Sequence, residues 1–462
     1  MYFGLNDNGM SLVDIARVIG GELHAENEES IIYGVSIDTR TVQPDDIFFG
    51  IPGETYDGGD FAAEAICRGA RCAVVTRVPS DEIPYILVSD TVEALGLLAR
   101  EYRRRFGTIT VAVTGSVGKT TTKQFIYSVL DTKYKTNKTE GNFNNEIGLP
   151  LTLFKLNISY KAMVVEMGMN HPGEIRRLSR IAEPDIAVIT NIGTAHIENL
   201  GSREAIRDAK LEILDGMKED GILLLNGDEP LLRHLNTGKV CPKYMGIENP
   251  TCQYNAVNIR KTDAGFLFDL DIRNGDEVLR DLEIRTRGRH NIYNAMAAVV
   301  CGILSGISEE DIRTGLLKYE AVALRTEIEK RNAYTFISDC YNASPESMMA
   351  ALDVLGDVAD GGRRVAVLGE MLELGSFSRD LHKSVGRSYA KGTDLLITVG
   401  ENARAISDGA RENGMDASHI VELPSNTPAE IADAIRKVLH DGDTVLFKAS
   451  RRVALENVVS LL

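Results

Sequence analysis

A glycine-rich segment of the chain, VAVTGSVGKTTT, contains the residue types that bind phosphate. Gly115 and Gly118 have no Cβ, so the backbone there can turn tightly and direct several N–H groups to one point. Lys119 is long enough to reach the terminal phosphates of a nucleotide, and the Thr120 hydroxyl is a ligand for Mg²⁺. The pattern differs at one position from G-x-x-x-x-G-K-[ST], because Val113 stands where a glycine is required. Since a strand-like run precedes it and a helical run follows, we favour a phosphate site over a chance turn.

Three further residues have the chemistry to bind a metal ion. Glu166 ends the apolar run AMVVE in the next strand–helix unit, where a carboxylate is either a second Mg²⁺ ligand or a helix-capping or surface group. His196 follows the run IAVIT; a lone histidine is most often structural, but this position at a strand end favours binding of a second cation. Lys210, within a helical run, reads by itself as a solvated lysine.

Two asparagine-rich segments lie near these residues. TEGNFNNEIGLPLT contains Asn142, Asn144 and Asn145, which either form plain turns or bind a substrate carboxylate or phosphate. RGRHNIYNAM places Asn291 and Asn294 three residues apart on one helix face, a spacing able to hold a purine edge or a phosphate, with the same alternative. The residues alone leave both alternatives open.

The runs that must position these residues alternate between strand and helix. Apolar strands at 162–166, 186–190 and 222–226 alternate with helices and predict a parallel sheet that is buried on both faces. A second strand–helix series near the C-terminus predicts a doubly wound, Rossmann-like sheet. We therefore predict an α/β protein of three domains, 1–106, 107–320 and 321–462. Ligands should bind at the carboxyl ends of the strands, in clefts between domains.

Composition excludes several classes of function. The formal net charge is −16, which disfavours nucleic-acid binding, and 44% apolar with 26% charged residues is typical of a globular protein. No apolar run approaches the ~20 residues that span a bilayer, and no secretory signal is evident. The six cysteines form no C-x-x-C pair, so we expect reduced, mostly buried thiols in a cytoplasmic protein.

In combination these motifs resemble the Mur ligase family, the ATP-dependent enzymes that form amide bonds in peptidoglycan synthesis. The segment TGSVGKTT is the family's own form of the phosphate loop, and GNFNNEIGLPLT, EMGMNHPGEI, ITNIGTAHIENLGS and RGRHNIYNAMAA are similar to further family segments. The resemblance extends over nearly the whole chain. It implies an N-terminal uridine-nucleotide domain, a central ATP-binding domain and a C-terminal ligase domain.

The resemblance implies ATP and two Mg²⁺ ions as cofactors. Thr120, Glu166, His196 and Lys210 would serve the metals, with Lys210 carbamylated by CO₂ so that it offers anionic oxygens. Together with Lys119, the last three of these would be the catalytic residues. The implied nucleotide contacts are Gly115, Ser116, Val117, Gly118, Lys119, Thr120, Thr121, Asn291, Asn294, Arg325 near the phosphates, and Asp339 near the ribose.

The outer segments indicate which member of the family is matched. Residues 36–61 resemble a uridine-nucleotide domain, and SDCYNASPESMMAAL and VLGEMLELGSFSRDLH match the third domain of the ligases that join D-alanyl-D-alanine to UDP-N-acetylmuramoyl-tripeptide. Ala449 stands where the family usually has glycine, which leaves a dipeptide-binding role of Lys448 or Ser450 open. The substrate contacts implied are Ser36, Thr39, Arg40, Asp57, Asn142, Asn144, Asn145, Tyr341 and Asn342.

The implied reaction converts the tripeptide carboxylate into an acyl phosphate, which the dipeptide amine attacks. We expect a monomer that needs neither nucleic acid nor membrane insertion. Another Mur-type or folylpolyglutamate-type amide ligase would share the central motifs but lack the uridine-type segment. Outside the ligases, the alternatives are a P-loop small-molecule kinase and a nucleotide-gated scaffold.

Overall fold

A computed structural model of the chain describes residues 3–5, 9–80, 82–273, 275, 277–389 and 392–462. The strands are β1 Phe3–Gly4, β2 Met10–Ser11, β3 Glu22–His24, β4 Ile31–Ile32, β5 Gly34–Ser36, β6 Asp46–Phe49, β7 Cys72–Val75, β8 Tyr85–Leu87, β9 Ile109–Thr114, β10 Thr136–Lys138, β11 Ala162–Glu166, β12 Ile186–Ile189, β13 Ile222–Asn226, β14 Cys241–Gly246, β15 Tyr254–Lys261, β16 Phe266–Ile272, β17 Glu277–Ile284, β18 Glu327–Arg331, β19 Tyr334–Ser338, β20 Arg364–Gly369, β21 Leu395–Val399, β22 Ile420–Leu423 and β23 Thr444–Lys448. The α-helices are α1 Leu12–Ile19, α2 Ala62–Cys67, α3 Thr91–Arg104, α4 Lys119–Leu130, α5 Gly148–Leu153, α6 Glu174–Ala182, α7 Ile197–Leu200, α8 Arg203–Leu211, α9 His290–Leu304, α10 Glu309–Leu317, α11 Pro345–Val358, α12 Ser378–Tyr389, α13 Arg404–Glu412, α14 Pro428–Arg436 and α15 Glu456–Val459.

The N-terminal unit is built on the sheet β1-β5-β6-β7-β8-β3, with parallel inner strands and antiparallel edges. The run IIYGVSID, whose apolar residues predict a single strand, is divided here. Its first part, β4, pairs with β2 in a separate two-stranded sheet, whereas β5 enters the main sheet. Between them the N–H of Tyr33 donates to Asp45, so the chain changes sheets at that residue. Alternation of apolar residues cannot reveal such a change, because both parts remain extended.

The central unit is the sheet β10-β11-β9-β12-β13-β14-β15-β16-β17. Its strands are parallel from β10 to β15, and the antiparallel strands β16 and β17 are appended at the β15 edge; the polar, alternating pattern of residues 254–287 is typical of such strands. Successive side chains of β9 point to opposite faces. Val111 and Val113 pack with Phe125 of α4 and the apolar residues of α9, whereas Ala112 packs with α6 on the other face. The sheet is thus buried on both faces, as predicted.

The C-terminal unit is the sheet β18-β19-β23-β20-β21-β22, which is parallel except for the edge strand β18. The parallel strands with intervening helices confirm the doubly wound prediction. Edge strands β18 and β22, like β14 of the central sheet, were not predicted. β18 reads EIEKR and is largely exposed, so it lacks the apolar run by which buried strands are recognised.

No helix within the described residues is both long and apolar enough to cross a membrane. The six cysteines are all free thiols, and four of them are buried. Burial raises the pKa of the Cys252 thiol to about 11. These observations agree with the expectation of reduced, mostly buried thiols.

Candidate active site

A cleft of about 370 Å³ lies between the carboxyl ends of the central strands and the C-terminal unit. We call it the cleft. It brings together residues that are far apart in the chain, as expected for a ligand site at the strand ends of an α/β fold. Most of the predicted site residues line it: Ser116, Val117, Gly118, Lys119, Thr120, Thr121, Asn142, Asn144, Asn145, Glu166, His196, Asn294, Arg325, Asp339, Tyr341 and Asn342.

The phosphate loop begins after β9 and has no room for further side chains. A Cβ at Gly115, where φ is +148°, would lie 1.9 Å from Oγ1 of Thr190. At Gly118, where φ is +85°, it would lie 2.9 Å from Oδ1 of Asn294. Val113 lies inside β9 and is fully buried, so the position that lacks the expected glycine is strand and not loop. Valine in place of glycine at this position therefore does not disturb the backbone of the loop.

The loop is held in place by the segment that follows β12. Asn191 accepts the Val117 N–H at 3.0 Å through Oδ1 and donates to the Val117 carbonyl at 2.9 Å through Nδ2. The Thr190 hydroxyl donates to the same carbonyl at 2.6 Å. Sequence reasoning missed both residues, although they stand at a strand end of the predicted sheet. They hold the loop amides in position before any anion binds.

Lys119 is the first residue of α4, with Gly118 as its N-cap. Its Nζ donates to the carbonyls of Gly115 at 2.9 Å and Ser116 at 3.3 Å, so the ammonium lies over the loop at the positive end of the helix. Burial lowers its pKa, with Glu166 opposing that change. The arrangement places a cation beside backbone N–H groups, which is what a polyphosphate requires.

Glu166 lies at the end of β11 with 3% of its surface exposed. Nδ2 of Asn144 donates to Oε1 at 2.9 Å, while Nζ of Lys123 lies 3.3 Å from Oε2. Burial opposes ionisation of Glu166, but the ammonium groups of Lys123 and Lys119 outweigh it and lower the carboxyl pKa. Within the described part of the chain, Oε2 has no hydrogen-bond partner. A buried, ionised oxygen with free lone pairs is a fitting ligand for a cation.

Lys123 was not among the predicted site residues. It stands four residues after Lys119 and therefore on the same face of α4, with 3% of its surface exposed. Burial lowers the pKa of Lys123, while Glu166 opposes that change. The i, i+4 spacing of two lysines after a phosphate loop is the sequence signal that could have revealed it.

Lys210 is buried at the end of α8, with only 2% of its surface exposed, and does not line the cleft. It is therefore not the solvated lysine that its sequence context alone suggests. Burial first, and the nearby charge of Lys119 second, hold the pKa of Lys210 well below its ordinary value. A lowered pKa favours the neutral amine, which is the form of lysine that reacts as a nucleophile with CO₂.

His196 approaches the cleft from the segment between β12 and α7. Its backbone is left-handed, with φ +62° and ψ 23°, which is uncommon for a residue with a Cβ. Nδ1 lies 2.7 Å from Oε2 of Glu373, at ion-pair distance but not aligned as a hydrogen bond. Glu373 belongs to the loop after β20, so this contact joins the central and C-terminal units. Sequence reasoning did not single out Glu373.

The three asparagines of the first segment differ in their contacts. Oδ1 of Asn145 accepts the N–H of Gly148 at 2.8 Å, which is a turn-forming role. Asn144 instead supports Glu166, and Asn142 lines the cleft. Sequence spacing could not separate these roles, because they depend on which amide faces β11.

Asn291 and Asn294 share one face of α9, as predicted from their spacing. Nδ2 of Asn294 donates to Oδ1 of Asn291 at 2.8 Å, and Oδ1 of Asn294 accepts from Thr122 at 2.8 Å. Asn294 lines the cleft, whereas Asn291 lies behind it and donates to the carbonyl of Arg287 at 2.6 Å. The structure thus places Asn291 as a support for Asn294.

The C-terminal unit contributes the opposite wall of the cleft. The guanidinium of Arg325 lies 4.3 Å from the centroid of the Tyr341 ring, and its Nε is buried without a hydrogen-bond partner in the described chain. Asp339 accepts from Nζ of Lys448 at 2.7 Å, and Lys448 also donates to the carbonyl of Asn342 at 2.9 Å. Lys448 lines the cleft although it is 2% exposed, so it organises this wall.

A second opening of about 750 Å³ adjoins the cleft and shares Asn142, Tyr341 and Asn342 with it. Arg451 and Arg452 give it two guanidinium groups. The neighbouring Ala449 is fully buried, and a Cβ at Gly369 would lie 2.7 Å from its methyl group. The alanine that departs from the family pattern is therefore packed against Gly369, where no side chain competes.

The four predicted residues of the N-terminal unit do not line the cleft. Ser36 ends β5, Thr39 and Arg40 lie in the short helix that follows it, and Asp57 lies in the segment after β6; all four are engaged with near neighbours. Ser36 donates to the Asp38 carbonyl at 3.0 Å, and Arg40 forms an ion pair with Asp38 that lowers the pKa of that carboxyl to about 2. Thr39 lies 3.3 Å from Glu64, and Asp57 caps the short helix at Gly58–Phe61. Gly115 is likewise outside the lining, at the base of the loop.

Comparison with known proteins shows which family the chain matches. The chain matches the models of the Mur ligase middle domain over residues 113–302, the Mur ligase glutamate ligase domain over 324–451, and the Mur ligase family catalytic domain over 31–103. The UDP-N-acetylmuramoyl-tripeptide–D-alanyl-D-alanine ligase of Bacillus subtilis is 39% identical over 454 residues, covering 96% of each chain.

Two solved structures are similar over most of the chain. MurF from Acinetobacter baumannii matches with a TM-score of 0.88 and 30% identity, covering 98% of each chain. MurF ligase from Thermotoga maritima in complex with ADP matches with a TM-score of 0.81 and 29% identity, covering 92% of this chain and 96% of that one.

Proposed function

The chain belongs to the Mur ligase family, and we propose that it joins D-alanyl-D-alanine to a UDP-N-acetylmuramoyl-tripeptide, with conversion of ATP to ADP and phosphate. One observation carries the proposal: a phosphate loop and an ionised, incompletely bonded carboxylate face Arg325 across one cleft. The full-length identity of 39% to a ligase of that name supports the same substrates over those of other Mur-type or folylpolyglutamate-type ligases.

In the proposed reaction a carboxylate oxygen of the tripeptide attacks the γ-phosphorus of ATP, and ADP leaves. The dipeptide amine then attacks the carbonyl carbon of the acyl phosphate, loses a proton, and phosphate departs as the amide forms. The first step brings two anions together, so cationic groups must offset their repulsion. Lys119 and Arg325 are placed for this task on opposite walls of the cleft. Closure of the two units around ATP must precede the chemistry.

Mg²⁺ fits the residues present. The described residues contain no cluster of three or more His, Cys, Asp and Glu side chains, so Glu166 and His196 need further anionic donors. Phosphate oxygens, the Thr120 hydroxyl and a carbamate on Lys210 would supply them, and the buried neutral amine of Lys210 is suited to carbamylation. When bound, the ions would neutralise charge on the phosphoryl oxygens.

The substrate contacts proposed for the outer units follow from their positions. Ser36, Thr39, Arg40 and Asp57 would contact the uridine nucleotide, since they cluster at the strand ends of the N-terminal sheet. Asn142, Tyr341 and Asn342 border both openings, so they would contact the peptide and the incoming dipeptide. Asp339 would face the ribose.

We also propose three broader properties of the chain. The divisions at 106/107 and 320/321 fall between strands of different sheets, which supports the domains 1–106, 107–320 and 321–462. Free thiols and the substrates named above support a cytoplasmic enzyme. The third property is that the enzyme acts as a monomer.

The proposal is tested by measuring phosphate release from ATP with the nucleotide tripeptide, with and without D-alanyl-D-alanine. We expect release that depends on both substrates and a product whose mass is their sum less one water. A phosphorylated product without amide would indicate a kinase, and ATP binding without amine-dependent turnover would indicate a scaffold. Either result would contradict the proposal.

A further inference from the structure

His196 and Glu373 meet across the boundary between two units of the fold. The imidazole comes from the central unit and the carboxylate from the C-terminal unit, with 2.7 Å between Nδ1 and Oε2. We propose that Glu373 is a positioning residue that turns the His196 imidazole toward the metal site when the two units are docked. This inference rests on the proposed function, in which His196 binds a divalent cation.

The chemistry of the contact fixes the ring. An ionised carboxylate only accepts hydrogen bonds, and Oε2 of Glu373 already lies 2.7 Å from Nδ1, so a small rotation of either side chain into alignment would select the tautomer of His196 that carries its hydrogen on Nδ1. Nε2 then keeps its lone pair for a cation. Carboxylates behind metal-binding imidazoles act in this way and also raise the basicity of the ring.

The loop that carries Glu373 is held rigidly by buried groups. Nε2 of His382 accepts the N–H of Met371 at 2.9 Å, and the hydroxyl of Ser450 accepts the N–H of Leu372 at 2.9 Å. His382 and Ser450 are both buried, at 0% and 3% exposure. Glu373 itself is in the left-handed region, with φ +63°, which turns its side chain out of the loop. Two consecutive amides are thus fixed directly before the residue that reaches His196.

The other side of the contact is equally constrained. His196 adopts φ +62°, a conformation that persists only when the surroundings demand it. The following helix α7 lies against the same loop: the N–H of Glu198 is 3.4 Å from the carbonyl of Glu373, and a Cβ at Gly375 would lie 2.9 Å from Cγ of Glu198. Both partners are therefore held in uncommon backbone conformations at the point where the units meet.

The consequence is a metal site whose completion depends on docking. Glu166 lies wholly within the central unit, with its partners Asn144 and Lys123. His196 has its orienting carboxylate on the other unit. Separation of the units would leave the Glu166 ligand in place but free the His196 ring. The cation beside His196 should therefore bind tightly only in the docked enzyme.

The test uses Mn²⁺ as a probe, with the full-length enzyme and a non-hydrolysable ATP analogue. Electron spin-echo measurements detect ¹⁴N coupling from an imidazole bound to Mn²⁺, and an EPR titration gives the affinity. The variants are Glu373→Ala, Glu373→Gln and, as a matched control, Lys261→Met. Lys261 forms another ion pair between the same two units, 2.9 Å from Asp357, away from the cleft.

We expect Glu373→Ala to weaken Mn²⁺ binding at the nitrogen-coupled site by about tenfold or more and to reduce the ¹⁴N coupling. Glu373→Gln keeps an acceptor oxygen, so its Mn²⁺ affinity and ¹⁴N coupling should lie between those of the wild type and of Glu373→Ala. Lys261→Met should match the wild type in both measurements. An affinity within twofold and unchanged coupling in Glu373→Ala would overturn the inference. So would equal weakening by Lys261→Met, since the contact would then only dock the units.

The wild type separates this inference from the wider proposal. If it binds Mn²⁺ with no ¹⁴N coupling, His196 is not a metal ligand and the positioning role of Glu373 fails. Dipeptide-dependent phosphate release from the same preparation would then still support the ligase activity. Loss of that release in the wild type would contradict the proposed function instead.

Discussion

The cleft and the loops of the N-terminal unit handle their charged groups in opposite ways. In the cleft, Glu166 and Lys123 are buried at 3% exposure, and one carboxylate oxygen has no hydrogen-bond partner in the described chain. In the N-terminal unit, the side chain of Arg40 is 82% exposed and already paired with Asp38. The first arrangement keeps charges concentrated where water is excluded, whereas the second leaves them satisfied and hydrated.

The difference indicates what each region does. Buried, incompletely bonded charges interact strongly with charge that develops during a reaction, because the local dielectric is low and nothing must reorganise. Exposed pairs contribute little energy of their own and can exchange partners at low cost. We therefore assign chemistry to the cleft and reversible recognition to the N-terminal loops.

The substitution Lys119→Ala tests this comparison with the largest expected effect. We expect kcat/KM to fall by about 10³-fold or more, because a cation next to the transferred phosphate is lost. The measurement is dipeptide-dependent phosphate release, with the circular dichroism spectrum as a check on folding. Lys239→Ala is the matched control, since that lysine is 72% exposed on the same unit and should be neutral. Near-normal activity of Lys119→Ala would contradict its role.

The second prediction concerns the buried lysine of the central unit. Lys210→Ala should lower activity by about 10²-fold, because the carbamate that we propose to complete the metal site could not form. Short-chain carboxylic acids should restore part of the activity by supplying the missing anionic oxygens. The same acids should not rescue Lys119→Ala, where a cation is required. Absence of any rescue would leave the carbamate without support.

The third prediction concerns a carboxyl group of the N-terminal unit that is buried like Glu166 but whose pKa is shifted in the opposite direction. Asp46 is 0% exposed, its Oδ1 has no partner in the described chain, and burial raises its pKa to about 6. A pKa above the unfolded value of 3.8 means that the folded chain favours the protonated form. The contribution of Asp46 to the free energy of unfolding is therefore fully present below pH 3.8 and is lost as the pH rises through about 6. The loss amounts to about 3 kcal/mol at most.

Asp46→Asn removes this titration. We expect the variant to gain melting temperature relative to the wild type as the pH increases from 4 to 7. The comparison is made by calorimetry on both proteins at each pH. A difference that does not change with pH would show that Asp46 is ionised without cost, and would remove this contrast with Glu166.

The smallest expected effect is that of Arg40→Ala. Loss of one exposed guanidinium should raise KM for the nucleotide tripeptide by up to about tenfold and leave kcat within about twofold. Steady-state kinetics at saturating ATP and dipeptide give both values. A fall in kcat with unchanged KM would instead place Arg40 in the chemistry and erase the distinction between the two regions.

Much of the fold could be predicted because its signals are local. β11 and β13 have the bounds expected from their apolar runs. The phosphate loop, Glu166 and Arg325 could be identified because motif, strand end and family resemblance agree. β18 could not, because an exposed edge strand has no apolar pattern.

Other parts of the site depend on contacts that no local pattern carries. Glu373 reaches His196 across 177 positions of chain, and the loop that presents it is fixed by His382 and Ser450 from two other elements. The support of Glu166 by Asn144, and of Asn294 by Asn291, depends on which amide faces inward. Such pairings are set by tertiary packing, so the sequence alone left them open.

The central claim is that the cleft activates a carboxylate by phosphoryl transfer before an amine attacks it. The most direct test labels the terminal carboxylate of the nucleotide tripeptide with ¹⁸O and determines the mass of the phosphate released during ligation. The account predicts one ¹⁸O atom in each phosphate, because a carboxylate oxygen leaves with the phosphoryl group. Phosphate without label, formed together with the amide, would contradict it.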